Sequence, residues 1–88
     1  MNNLNILRTK ISKLDAKIIF LLALRSNTTK EVGRIKRKNK RPIYDPDRWR
    51  VLLNKNVKLG LKLRLKKKFI KDIYEIIHKE SIRNQKRI

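Results

Sequence analysis

Apolar residues recur at Leu4, Leu7, Ile11, Leu14, Ile18 and Leu21 and return at Val32 and Ile35, a spacing of three and four that holds one stripe along a helix face. No proline occurs before position 42, so nothing interrupts a first helix expected over about residues 4–38. At 1.5 Å per residue it would be roughly 52 Å long, whereas a compact monomer of this length has a radius of gyration of about 12 Å. Such a helix overhangs its own domain. Its stripe needs a second chain, most simply an antiparallel copy of itself in a two-fold dimer.

Pro42 and then Asp45-Pro46 break the pattern; Asp can cap a helix and Pro suits its first turn. A second helix is expected from Pro46 to Leu59, ending near Gly60, with Leu52, Leu53 and Val57 as a modest apolar face. A third, from Lys67 to Lys86, carries Ile70, Ile73, Tyr74 and Ile77 on one side. Lys66, Lys67 and Lys68 oppose its dipole, which predicts fraying at that end. No strand pattern, Gly-rich phosphate loop or internal repeat is present. The expected fold is all-α, with three helices per chain and residues 1–88 as a single domain.

The stripe of the first helix is not apolar throughout. Continuing the spacing past Leu21 lands on Arg25 and Thr28, and an arginine in a seam is costly unless paired. One reading is a snorkelling side chain or an interchain salt bridge. Another starts from Lys36, eleven residues on and at nearly the same azimuth, close enough for both side chains to reach one small anion. Arg8 lies seventeen residues from Arg25, roughly 25 Å along the axis, so only an antiparallel partner could bring its own copy there. On the third helix Ser81 and Gln85, four apart, continue the face of Ile73 and Ile77. Either could simply be solvated near a helix end. Taken with Arg8, Arg25, Lys36 and Arg48, they describe a cationic pocket inside a helical bundle, suited to a small dicarboxylate. No nucleophile has an adjacent base, so chemistry there would proceed by electrostatics and positioning.

Composition narrows the field. Eighty-eight residues are near the lower limit for folding alone. The absence of Cys excludes disulfides, a thiolate nucleophile and Cys-ligated metal, and one histidine, His78, cannot build a metal site unaided. A reducing, cytoplasmic setting fits. The N-terminus has no apolar signal core and no run approaches a membrane span, so neither export nor insertion is expected. The net charge of +19 attracts polyanions and keeps a nucleic-acid binder open as a rival, although Lys, Ile and Asn share A/T-rich codons and drift alone can raise such a charge.

The segments LRTKISKLDAKIIFLLALR (7–25), EVGRIK (31–36), RPIYDPDR (41–48) and ESIRNQ (80–85) together resemble the all-helical chorismate mutases, intertwined dimers found alone or fused to prephenate dehydratase or dehydrogenase. The resemblance implies a pericyclic rearrangement of chorismate to prephenate in phenylalanine and tyrosine biosynthesis, with no metal or organic cofactor. Position by position it implies that Arg25, Arg48 and the partner subunit's Arg8 hold the two carboxylates, with Ser81 assisting. Lys36 and Gln85 would donate to the ether oxygen, and Asp45 would meet the ring hydroxyl while opening the second helix. Two positions depart from the pattern. Trp49 stands where many relatives have a glutamate that contacts the ring hydroxyl, which implies reduced activity, and His78 stands where they have an apolar pocket wall, a place where a histidine is expected to pack rather than catalyse. Isochorismate pyruvate lyase, on the same fold, and a basic non-catalytic helical module remain the alternatives.

Overall fold

The computed structural model describes residues 2–87, and every regular element among them is helical: α1 (Asn3–Lys38), α2 (Pro46–Lys62) and α3 (Lys67–Lys86). The expected helices are all present. α1 opens at Asn2, whose side-chain oxygen accepts the Leu4 amide at 2.8 Å, satisfying one of the orphan N–H groups of the first turn. α2 opens at Asp45, which accepts the Arg48 amide at 3.1 Å with Pro46 behind it. The cationic first turn of α3 has no side-chain cap, yet it is helical from Lys67: the Ile70 amide closes on the Lys66 carbonyl and Lys68 donates to Asp72 at 2.6 Å.

α3 is the element against which both others pack. α1 runs far beyond it, so the chain measures 58 × 25 × 15 Å with a radius of gyration of 16.4 Å, well above the roughly 12 Å of a compact chain of this length. Only Val57 and Ile70 are buried apolar side chains among the described residues. Leu7, Ile11, Leu14, Ile18 and Leu21 keep between 48% and 61% of their surface exposed. Fully burying a side chain of this type contributes about 1.5–3 kcal/mol, and about half of that is still to be gained at each of these positions, so the stripe is a reserve of stabilisation that one chain does not use.

The end of α2 differs from expectation. Gly60 does not stop the helix; it is helical and buried, and the helix continues to Lys62. Its place is set by packing, since a Cβ there would lie 2.7 Å from Cγ1 of Ile70 on α3. We predict that Gly60→Ala destabilises in denaturant unfolding, because overpacking of about 1–3 kcal/mol exceeds the helix-propensity gain of at most about 1 kcal/mol.

α1 and α2 share a C-terminal motif. After α2 the Leu65 amide reaches back to the Gly60 carbonyl at 2.8 Å and the Arg64 amide to Leu61 at 3.1 Å; after α1 the Arg41 amide reaches Lys36 at 2.7 Å and the Lys40 amide Arg37 at 3.2 Å. These are Schellman closures, which require a left-handed residue. Arg64 (φ 64°) and Lys40 (φ 53°) fill that position instead of glycine. A side chain in this region costs roughly 1–2 kcal/mol, and the extra chain entropy of glycine offsets about half of it. Arg64→Gly is therefore expected to raise the unfolding midpoint, by about 0.5–1 kcal/mol of stability.

Candidate active site

The face of α1 that meets α3 presents Arg25, Thr29, Val32 and Lys36, at steps of four, three and four. Opposite them α3 contributes His78, Ser81 and Gln85. The α1–α2 connection supplies Ile43 and Asp45, and the start of α2 supplies Arg48, Trp49 and Leu52. Together they line a cavity of about 160 Å³. Six of the seven site residues anticipated from the sequence thus meet in one chain: Arg25, Lys36, Asp45, Arg48, Ser81 and Gln85. Arg8 is not among them. It is exposed near the far end of the continuous α1 helix, roughly 25 Å along the axis from Arg25.

Thr28, the other polar residue expected in the stripe, is exposed and bonds back to the Leu24 carbonyl at 2.9 Å. Its neighbour Thr29 takes the buried place, accepting from Asn84 at 3.2 Å and donating to the Ser26 carbonyl at 2.8 Å. The 3.6-residue period rotates the inward face by one position between Leu21 and Lys36, a drift that a strict 3,4 count misses. Asn84 and Thr29 form a buried polar tie between α3 and α1 that the spacing argument did not single out; the nearest signal was the polar run Ser81, Asn84, Gln85 on one helix face.

At the centre, Lys36 Nζ donates to the Ile43 carbonyl at 2.7 Å and to Gln85 Oε1 at 2.9 Å. The closure of α1 at Lys40 turns the chain so that Ile43 can accept this bond. An ammonium only donates, so Lys36 fixes the Gln85 amide with its oxygen toward Nζ. Gln85 Nε2 then donates to Ser81 Oγ at 3.2 Å. Each donor keeps capacity in reserve: the ammonium has a third N–H and the amide a second.

None of the four ion pairs among the described residues involves Arg25, Lys36 or Arg48. Asp45 is the one carboxylate lining the cavity, and one of its oxygens already caps α2. Three cations facing one carboxylate in a recess favour an anion with two negative charges.

Trp49 and His78 lie on the cavity wall, but their contact with each other and that of His78 with Tyr44 were not foreseen. Trp49 is half-buried on the cavity wall, with its ring 4.0 Å from the imidazole of His78 and nearly parallel at 15°; Tyr44 lies 5.7 Å from the same imidazole. His78 does pack, as expected, but its Nε2 is buried with no hydrogen-bond partner. Burial, then the charges of Arg25 and Lys36, hold its pKa below the ordinary 6.5. The neutral form is thus the native one. Its stabilising contribution is complete above 6.5 and is lost as the pH falls through the depressed native value.

The model of the family described as chorismate mutase type II matches residues 7–86. The chain belongs to the chorismate mutase type II family. Among its relatives, the bifunctional chorismate mutase/prephenate dehydratase of Buchnera aphidicola from Acyrthosiphon pisum is 36% identical over 87 residues, covering 99% of this chain and 23% of the relative. The protein of the same name from Escherichia coli K12 is 39% identical over 84 residues, covering 96% of this chain and 22% of the relative. The chain therefore spans less than a quarter of the length of these curated relatives. Family and relatives both carry the name of a chorismate mutase, an isomerase, the enzyme class to which the sequence pointed. No described helix of this family member is long and apolar enough to cross a membrane.

Proposed function

We propose that the chain converts chorismate to prephenate for phenylalanine and tyrosine biosynthesis, with residues 1–88 acting as one unit of an intertwined, two-fold homodimer. The observation that carries this reading is the convergence of Arg25, Lys36, Arg48, Ser81 and Gln85 on one cavity with no internal counter-ion beyond Asp45. Arg25 and Arg48, joined by the partner subunit's Arg8, hold the two carboxylates, with Ser81 assisting. This fixes the enol-pyruvyl arm over the ring in a near-attack geometry. As the ether C–O bond breaks and the new C–C bond forms, negative charge gathers on the ether oxygen. The spare N–H of Lys36 and that of Gln85 are aimed at it, so they stabilise the transition state more than the ground state.

Asp45 meets the ring hydroxyl with the oxygen not used in capping α2. Trp49 cannot accept that bond, and the activity falls below that of relatives with a glutamate in its place.

Two features support the dimer. The α1 stripe is exposed along its length. Arg25 and Ser81 also line a second hollow of about 250 Å³ with Leu22, Ile76 and Ile77, so the site continues onto an apolar face on which a second chain would rest.

Titration with a bicyclic transition-state analogue of the rearrangement tests the site. Binding by the native chain and its loss in Arg25→Ala are expected. If Arg25→Ala bound as the native chain does, or lost no more than a surface-lysine variant, the pocket reading would fail and a charge-driven surface would replace it. Product identification with chorismate and with isochorismate separates the mutase from an isochorismate pyruvate lyase: prephenate is expected from the first, and no pyruvate from the second.

A further inference from the structure

Resting on the chorismate mutase reading, we infer that Asn84 and Thr29 are positioning residues of this chain: their buried hydrogen bond fixes the last turn of α3 against α1 and so holds the Gln85 amide at the cavity. Neither takes part in the chemistry proposed for the cavity. Asn84 does not line it at all, but lines the neighbouring hollow of about 250 Å³.

Hydrogen-bond capacity determines how the two residues meet. Thr29 Oγ1 donates its one proton to the Ser26 carbonyl of its own helix at 2.8 Å, so only lone pairs are left for α3. The Asn84 amide must then turn its nitrogen toward α1, and Nδ2 donates to Thr29 Oγ1 at 3.2 Å. Two bonds in series thus link an α3 side chain to the α1 backbone. Asn84 keeps 5% of its surface exposed and Thr29 9%, which shields the link from water and strengthens it.

Little else fixes the two helices in register within one chain. The buried residues of α1 are Thr29 and Gly33, and in its C-terminal half α3 buries Ser81, Asn84 and Gln85. The fit of α1 on α3 here rests on directional bonds more than on interlocked apolar groups. Among the described residues two side-chain hydrogen bonds cross between these helices, Lys36 to Gln85 and Asn84 to Thr29. The first joins two groups that both turn spare N–H donors to the ether oxygen, so substrate pulls on it from the cavity side. Ser81, the other partner of Gln85, assists at a carboxylate. Only the Asn84 bond is independent of substrate. Gln85 is the last residue but one of α3, in the turn whose carbonyls lack helical partners and which opens most readily. A tie on the adjacent residue keeps that turn closed while Gln85 engages the substrate.

The test introduces Asn84→Leu, which keeps the size of the side chain and removes the donor, into the native chain and into Gln85→Ala. In the native chain it is expected to lower kcat on chorismate by about tenfold or more, the scale set by small misplacements of a catalytic group, with KM within about twofold. In Gln85→Ala the same change should lower kcat by less than about twofold, because the residue it positions is gone. A merely structural role would lower activity by the same factor in both backgrounds. Equal factors, or a loss under about twofold in the native chain, would therefore overturn the assignment. Thr29→Val breaks the bond from α1 and should reproduce the loss, again only with Gln85 present; it decides where Asn84→Leu fails to fold or to dimerise. Hydrogen exchange at the Gln85 amide should quicken by about tenfold in Asn84→Leu as the last turn opens, and unchanged exchange would overturn the tie whatever the activity. A native chain inactive on chorismate with this exchange result intact would instead remove the mutase reading, and the catalytic role with it.

Discussion

Lys36→Met is expected to lower kcat on chorismate by about 10²–10³-fold, the typical effect of removing one donor aimed at developing charge, while KM changes little. Methionine keeps the length of the stem, so packing beside Val32 and Gln85 is retained and the loss reports the ammonium. The geometry gives the reason for so large an effect. Lys36 is the only side chain that both reaches the ether position in the proposed pose and fixes a second donor, since its bond to Gln85 Oε1 at 2.9 Å sets which way that amide faces. Without the ammonium the amide is free to turn and the Ile43 carbonyl loses its partner. Gln85→Ala should therefore cost less than Lys36→Met, and the double variant less than the product of the two, because they act as a coupled unit. Steady-state kinetics on the three variants checks this; independent, multiplicative losses would show that Lys36 and Gln85 do not share one task.

The second large effect concerns Arg8. In a single chain it lies far from the cavity on an uninterrupted helix, so if it serves the site it does so from a partner. Arg8→Ala and Arg25→Ala should each be nearly inactive alone. Unfolded together and refolded as a mixture, they form hybrid dimers in which one site carries both changes and the other carries neither. With random pairing, half the dimers are hybrids and half the sites in each are intact, so about one quarter of native activity should return. No return of activity, with hybrid dimers verified by mass after isotopic labelling of one of the two variants, would mean that Arg8 does not act across an interface. The same substitutions leave the apolar residues of the α1 stripe untouched, so dimer formation itself should survive them.

Much of this arrangement was legible in the sequence, for reasons that particular residues make plain. The α1 stripe repeats over enough turns that helix type and length follow from Leu4 to Ile35 alone, and Asp45-Pro46 marks the start of α2 through capping chemistry that depends on no neighbour. Arg25 and Lys36, eleven residues apart, were placed together by helix geometry, and Ser81 and Gln85 by the same rule. What required the third dimension was contact between elements. Gly60 read as a helix end because glycine usually serves there, but the approach of Ile70 assigns it a packing role within the helix, and the left-handed closures just past Lys38 and Lys62 fall on residues with no turn signal, Lys40 and Arg64. Thr29 rather than Thr28 faces inward because the stripe rotates slowly along a long helix. The stack of Trp49 on His78 joins residues twenty-nine positions apart on two helices, and no local pattern encodes it.

The most direct measurement is turnover of chorismate by the purified chain, followed by loss of its absorbance with the product identified as prephenate. The proposed site predicts cofactor-independent conversion that Lys36→Met suppresses. Unchanged chorismate at high enzyme concentration, with the helical fold intact, would contradict it.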